Sequence, residues 1–293
     1  MQEGDTAELI FQPGVLSTAD YMATATAVSD ADAIIFAGGL SSKLEGEEMS
    51  VRIDGFDRGD RTSIELPAVQ RKMLRALLTT GKPVIFVMMT GSAVGLEWED
   101  RHVPAIINAW YGGQAGGDAV ADVIFGDYNP AGRLPVTFYR SVADIPDFED
   151  YSMEGRTYRY FKGKPVYAFG HGLSYTDFNY SDLRINRLGD GSLRIAVKVT
   201  NSGKRDGDEV VQLYLSNDRK FRTPIRSLKG FDRVSLKAGE SVDVVFTVTP
   251  DELTVVDQNG ESVPMKGKIV VSVGGGQPGY ASDCLMSEVN YRR

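Results

Sequence analysis

The pattern of apolar and polar positions changes character twice along this 293-residue chain. In the first part, apolar runs of strand length alternate with helical periodicity. Ala33-Ile34-Ile35-Phe36-Ala37 reads as the first buried strand. From Ser63 to Thr80, Val69, Met73, Leu74, Leu77 and Leu78 fall on one helical face, with Pro67 suited to a first turn and Gly81 to the stop. Pro83 to Met89 does not alternate and reads as a strand buried on both faces. Ala105 to Trp110 is a further strand, Gly116 to Phe125 a short helix ended by Gly126, and Pro130 to Pro135 a turn. Strand–helix alternation of this kind predicts an open, mostly parallel α/β sandwich over residues 1–140.

Residues 141–177 keep no period. Tyr158, Tyr160, Phe161, Tyr167, Phe169 and Tyr175 are interleaved with Arg156 and Arg159. So many aromatics are costly to leave in water, so the segment reads as an ordered connector across the domains, with the two arginines pinning it to a sheet. Beyond Phe178 short alternating strands take over, at Leu193–Val199, Glu209–Leu215, Ser241–Val248 and Lys268–Val273, separated by turns such as Asn201-Ser202-Gly203 and Asn259-Gly260. That spacing predicts an all-β sandwich over 178–293, a scaffold or binding module by default.

Composition narrows the function classes. A net charge of −8 disfavours nucleic acid and anionic membrane surfaces as partners and suits a neutral substrate. One cysteine, Cys284, allows no internal disulfide, and with only His102 and His171 there is no Cys/His zinc cluster; no cofactor is expected. No apolar run approaches the ~20 residues of a membrane span. The acidic start, Met1-Gln2-Glu3-Gly4-Asp5, does not look like a signal peptide, and it reads as soluble or as cut from something longer.

Candidate chemistry concentrates after the first strand, where open α/β sheets place their sites. Glu45, Glu47 and Glu48 lie within four residues and are followed by Asp57-Arg58-Gly59-Asp60-Arg61. Mutual repulsion of three carboxylates in a partly buried loop predicts at least one raised pKa, hence a candidate general acid; the competing reading is a solvated acidic loop. Asp60 and Arg61 are expected either to shape the loop through a salt bridge or to form an exposed structural pair. Glu97 and Trp98 are candidates for a pocket wall, with ordinary packing of Trp98 the alternative. Asp54, Asp57 and Asp60 suggest calcium, but Phe56 and Arg58 occupy ligand positions of the EF-hand pattern. Gly38-Gly39 lacks the glycine spacing of a dinucleotide loop.

Long collinear motifs then give a resemblance. Trp110-Tyr111-Gly112-Gly113-Gln114-Ala115-Gly116-Gly117, running into Ala121 to Phe138, is similar to the signature of the second domain of glycoside hydrolase family 3, the family of β-glucosidases and β-xylosidases. Phe169-Gly170-His171-Gly172-Leu173-Ser174-Tyr175-Thr176 follows. Then comes a fibronectin type III-like stretch from Val199 through Asp206–Tyr214 to Leu228-Lys229-Gly230-Phe231. The resemblance covers nearly the whole chain.

It implies retaining hydrolysis of a β-linked oligosaccharide or glycoside, with an aspartate nucleophile and a glutamate acid/base about 5 Å apart. The acid/base falls upstream of an Asp-Arg pair and a Leu-Pro, matched here by Asp60-Arg61 and Leu66-Pro67. That places the role on Glu45, with Glu47 and Glu48 as alternatives. The nucleophile belongs to an N-terminal (β/α)8 barrel of about 200 residues or more, and only some thirty residues precede Ala33. The expectation is therefore the C-terminal part of such an enzyme, joined to its barrel in cis or in trans and nearly inactive alone. The alternative is a non-catalytic carbohydrate-binding or interaction protein derived from the scaffold. Relatives are often periplasmic or secreted, the loop form leans towards β-xylosidases, and a homo-oligomer is compatible with everything above.

Overall fold

The computed structural model describes residues 17–45, 54–58, 60–217, 223–281 and 283–292. The chain divides into two compact units, Met1–Tyr128 with Phe138–Asp144, and Asn129–Thr137 with Ile145–Arg293. The turn at 130–135 thus groups with the second unit although the residues after it return to the first.

The first unit begins with α1 (Thr18–Ala27), started by a capping box in which Ser17 and Asp20 satisfy each other's backbone N–H. β1 (Ile34–Gly39) leads through a β2/β3 hairpin (Phe56–Asp57, Asp60–Arg61) to α2 (Ala68–Leu78). β4 (Val84–Met89), α3 (Glu97–His102), β5 (Ala105–Asn108) and α4 (Gly116–Phe125) follow. The sheet is parallel in the order β1-β4-β5, with Ile34 opposite Val84 and Ile85 opposite Ala105. α2 ends at Thr79 and α4 at Gly126, whose left-handed backbone glycine tolerates best.

β4 is the buried centre, with Val84, Phe86 and Met88 inaccessible and Val87 nearly so. β1 departs from the expectation of a fully buried strand. Its burial alternates, and Ile35 is 51% exposed, because α2, which packs on α1, contacts this strand from one side. At the C-terminal end of β1, Gly39 is obligatory. Its φ is +118°, and a Cβ there would stand 1.9 Å from the Met89 carbonyl oxygen. Gln70 of α2 accepts from Gly39 N (2.7 Å) and donates to its carbonyl (2.6 Å), fixing where the chain leaves the sheet.

Among its described residues the second unit holds α5 (Thr157–Tyr160) and the strands β6 (Phe178–Arg187), β7 (Leu193–Asn201), β8 (Gly207–Asn217), β9 (Ser227–Leu236), β10 (Ser241–Val248), β11 (Thr254–Val256), β12 (Ser262–Pro264), β13 (Gly267–Gly274) and β14 (Leu285–Tyr291). β10-β7-β6 and β14-β13-β8-β9 form antiparallel sheets, and β11-β12 is a separate hairpin. One continuous core, including Leu193, Ile195, Val197, Leu213, Ile269 and Val271, lies between the sheets, as a β-sandwich requires.

The connector's aromatics pack within this unit. Tyr158 stacks on Phe169 at 4.3 Å and meets Tyr214 edge-on at 6.1 Å. The Arg159 carbonyl accepts from Ile225 N at 2.7 Å. Arg156, expected to pin the connector to a sheet, instead folds its own loop by donating to the carbonyls of Asp147, Asp150 and Ser152.

Two of the motifs behind the family resemblance meet here. Leu134 N donates to His171 O at 2.8 Å and Gly170 N to Leu134 O at 2.7 Å, so Gly132-Arg133-Leu134 and Phe169-Gly170-His171 are bonded to each other. Arg133 also reaches Glu209 of β8 at 2.6 Å with both side chains buried, and Tyr180 donates to the other Glu209 oxygen at 2.7 Å.

Candidate active site

Glu45 sits just beyond the carboxyl end of β1. Leu44 N and Glu45 N both donate to Ser41 O (2.9 and 3.0 Å), closing a turn. There its carboxylate meets the loops that follow β4 and β5. Gly91 N donates to Oε2 at 2.8 Å; Ser92 Oγ donates to Oε1 and Tyr111 OH to Oε2 through short hydrogen bonds. Thr90 Oγ1 stands 3.5 Å from Oε1, and Arg61 Nη1 lies 3.7 Å from the same oxygen.

Each partner is itself held. Trp110 takes a left-handed φ of 52° and packs edge-on to Phe138 at 6.1 Å, so the chain turns as it leaves β5 and Tyr111 follows. Tyr111 OH also lies 2.8 Å from Leu40 O, which fixes the ring beside Glu45. Gly91 must be glycine, since a Cβ there would come within 2.7 Å of the Tyr111 ring and 3.0 Å of Glu45 Oε2. Arg61, carried by the β2/β3 hairpin, donates to Ser92 Oγ (2.7 Å), Ser63 O (3.1 Å) and Ala93 O (3.3 Å). Its Nη2 is buried without a partner among the described residues.

Electrostatics follow from this geometry. Burial pushes the Glu45 carboxyl up, but hydrogen bonds from Ser92, Tyr111 and Gly91 and the charge of Arg61 outweigh it, leaving Glu45 below the ordinary glutamate value. A raised pKa, expected of at least one of the three acids, is not found at Glu45, because hydrogen-bond donors and a guanidinium among the described residues stabilise its anion. Glu47 and Glu48 lie outside the described residues. Burial, with Glu45 second, pushes the Tyr111 phenol up to about 12. Arg61 is lowered by burial against the opposing pull of Glu45. Side-chain exposures of 13% for Glu45 and 15% for Arg61 leave the pair partly open to solvent.

The remaining candidates separate from this cluster. Asp60 is exposed, and Arg61 turns to Glu45, not to its neighbour. Trp98 is half-buried on α3, stacked on His102 at 4.6 Å and covered by Arg75 at 4.8 Å, which is the packing alternative. Glu97 pairs with Arg101 on the surface at 2.6 Å. Among the described residues no group of three or more His, Cys, Asp or Glu could hold a metal. Sequence reasoning missed Ser92, Gly91 and Tyr111 as partners of Glu45. It also missed Glu99, fully buried and held by Arg71 at 2.7 Å. The cluster can hold a carboxylate in one orientation beside polar donors, which acid/base chemistry requires.

Residues 14–175 match the Glycosyl hydrolase family 3 C-terminal domain, and residues 209–277 the fibronectin type III-like domain. Among similar curated proteins, a xylan 1,4-β-xylosidase of Xylanibacter ruminicola is 46% identical over 257 residues, covering 87% of this chain and 30% of the relative. A periplasmic β-glucosidase of Salmonella typhimurium is 38% identical over 264 residues, covering 85% of this chain and 33% of the relative. Among solved structures, a β-glucosidase of Kluyveromyces marxianus superposes with a TM-score of 0.81 at 28% identity, covering 96% of this chain and 34% of that one. A β-glucosidase of Erythrobacter marinus gives 0.79 at 33% identity, covering 93% and 36%. The chain thus spans about a third of the length of the relatives it matches. With the family pattern matched over more than half its length, the chain belongs to glycoside hydrolase family 3, of which it carries the C-terminal α/β domain and the fibronectin type III-like domain.

Proposed function

We propose that the α/β unit supplies the general acid/base of a retaining β-glycosidase, that Glu45 is this group, and that the nucleophilic aspartate comes from a (β/α)8 barrel domain of the same enzyme. The observation that carries this reading is the convergence of Ser92, Gly91, Tyr111 and Arg61 on one carboxylate at the C-terminal edge of a parallel sheet. Oriented in this way, Glu45 is ready as the base that activates water in the second half of a double displacement. In the first half it must carry a proton to the leaving oxygen. A sugar and a covering domain would strip away the remaining water, adding to the burial effect that already pushes Glu45 upward. The substrate class is a β-linked xyloside or glucoside, with the xyloside favoured by the 46% identity to a xylosidase.

The second reading, a non-catalytic carbohydrate-binding protein, draws on the same tether. A glutamate held as an anion by four partners is poorly placed to give up a proton.

The test is hydrolysis of xylobiose and of dinitrophenyl β-xyloside by this chain joined to a family barrel, with and without Glu45→Ala. A general acid matters most when the leaving group is a poor one. The variant should lose roughly 10²- to 10⁴-fold on xylobiose and far less on the activated aryl xyloside. An equal loss on both substrates would refute the acid role, and unchanged rates would refute any catalytic role for Glu45.

A further inference from the structure

A cavity in the β-sandwich unit, remote in sequence from Glu45, is lined by two cations, neither of them in a salt bridge with a described residue. It measures about 260 Å³ and lies between Tyr158 and Arg159 of α5, the start of β9 (Ser227, Leu228, Lys229), and the β11 strand. Lys229 is half-buried, and its Nζ donates to the backbone carbonyl of Glu252 at 2.6 Å. The Glu252 carboxylate is engaged elsewhere, accepting from Thr249 N and Oγ1 at 2.8 Å each. Arg159 lies over the Tyr160 ring at 5.8 Å. Neither cation forms a salt bridge with any described residue. Burial lowers the Lys229 pKa; the Glu252 charge opposes this without cancelling it, and Arg159 adds to the lowering. Two like charges facing one cavity in a chain of net charge −8 leave an energetic deficit that an anion would remove.

The walls say which anion. Pro224, Leu228, Val255 and Val256 give one apolar side, and Ser227 and Thr254 add hydroxyls. Phosphate or sulfate would leave the apolar wall unused. A hexuronate ring would place its C–H faces on that wall and its hydroxyls near Ser227 and Thr254. Its carboxylate would lie between the planar Arg159 fork and the Lys229 point charge. The volume falls below the ~300 Å³ at which sites for drug-sized ligands begin, which limits the occupant to one sugar unit. Tyr158 is held for this purpose, its OH accepting from Leu228 N at 3.1 Å. We propose that this cavity binds the carboxylate-bearing unit of an acidic saccharide. The site is independent of the catalytic reading of Glu45.

Titration calorimetry on the whole chain with sodium glucuronate, glucose and inorganic phosphate tests it without reference to catalysis. The expected result is binding of glucuronate, no measurable binding of glucose, and phosphate weaker than glucuronate. Arg159→Gln and Lys229→Met should each weaken glucuronate at least fivefold. Arg159 is exposed, so its variant keeps the fold and can be checked by an unchanged thermal midpoint. No binding to the wild type, glucose binding as well as glucuronate, phosphate binding at least as tightly, or wild-type affinity in Arg159→Gln would each overturn the proposal.

Discussion

Replacing Arg133 by Met should destabilise the β-sandwich unit by an amount that depends on pH in a calculable way. The Arg133 and Glu209 side chains are 10% and 3% exposed and 2.6 Å apart. Burial raises the Glu209 pKa, and the opposing pull of Arg133 and the Tyr180 hydroxyl does not fully offset it. Without Arg133 a buried carboxylate loses its counter-charge, a change that typically costs about 3–5 kcal/mol. Protonation caps the electrostatic part. At pH 7, which lies 2.5 units above the ordinary glutamate value of 4.5, the penalty cannot exceed about 3.4 kcal/mol, because beyond that Glu209 takes a proton instead. At pH 5 the cap falls to about 0.7 kcal/mol. The sign follows from linkage. A carboxyl whose folded pKa is raised contributes its stability below the unfolded value and loses it as pH rises through the folded value, and the variant exaggerates this loss. Urea unfolding followed by far-ultraviolet circular dichroism should therefore show a deficit up to about 2.7 kcal/mol larger at pH 7 than at pH 5. Adding Glu209→Gln, which removes the stranded charge, should recover at least half of the pH 7 deficit. A deficit below about 1 kcal/mol at pH 7, or one equal at the two pH values, would refute the account of this pair.

Three further outcomes follow from the α/β unit and the lone thiol. Tyr111→Phe removes one donor from Glu45, so the Glu45 pKa should rise towards the ordinary value, as read by carbon NMR of the side-chain carboxyl. Stability at pH 7 should fall by about 1.5 kcal/mol, a difference that shrinks as pH drops, because a depressed carboxyl loses its contribution on protonation; an unmoved titration would contradict the hydrogen bond. Gly39→Ala forces a Cβ to within 1.9 Å of the Met89 carbonyl oxygen in a backbone of φ +118° and should cost roughly 3 kcal/mol or more, with native-like urea unfolding as the contrary result. Burial, and Asp283 after it, raise the Cys284 thiol to about 11. At pH 8 only about one molecule in a thousand is then thiolate, so a disulfide reagent should react far more slowly with the folded chain than in urea; equal rates would show the thiol to be accessible and ordinary.

Elements whose burial is written into consecutive residues were legible from the sequence. The expected strand Pro83 to Met89 contains β4 (Val84–Met89), and Ser241 to Val248 coincides with β10, because their apolar positions carry the whole signal. The strands β6, β9 and β14, all of them sheet edges, escaped notice. Their alternation is diluted by charge, as in Ser181-Asp182-Leu183-Arg184 and Phe231-Asp232-Arg233, which blunts an edge against pairing with another chain. In α1, the run Thr18 to Ala27 is rich in Thr and Ala and has little amphipathic contrast. The readable cue was Ser17 with Asp20 three residues on, a capping box. At the candidate site Glu45 was legible as one of a cluster of acids. Its partners were not, since Gly91, Ser92 and Tyr111 lie 46, 47 and 66 residues away and carry no local mark of the role.

That long-range assembly explains why Glu45 itself departs from the raised pKa that the acid cluster predicts for at least one of its members. Sequence neighbours of Glu45 are acidic, and a calculation on neighbours alone raises its proton affinity. Folding brings to Glu45 a backbone amide, two hydroxyls and a guanidinium, each of which stabilises the anion. An acid/base that works twice in one cycle needs both protonation states within reach of neutral pH. The donors hold the base form, while desolvation, already the largest single influence on Glu45, pulls towards the acid form. Covering the 13% of the side chain still exposed strengthens desolvation without adding a donor. Under the acid/base role proposed for Glu45, covering the site would raise its proton affinity and opening it would lower it, the order in which a double displacement needs the acid and then the base.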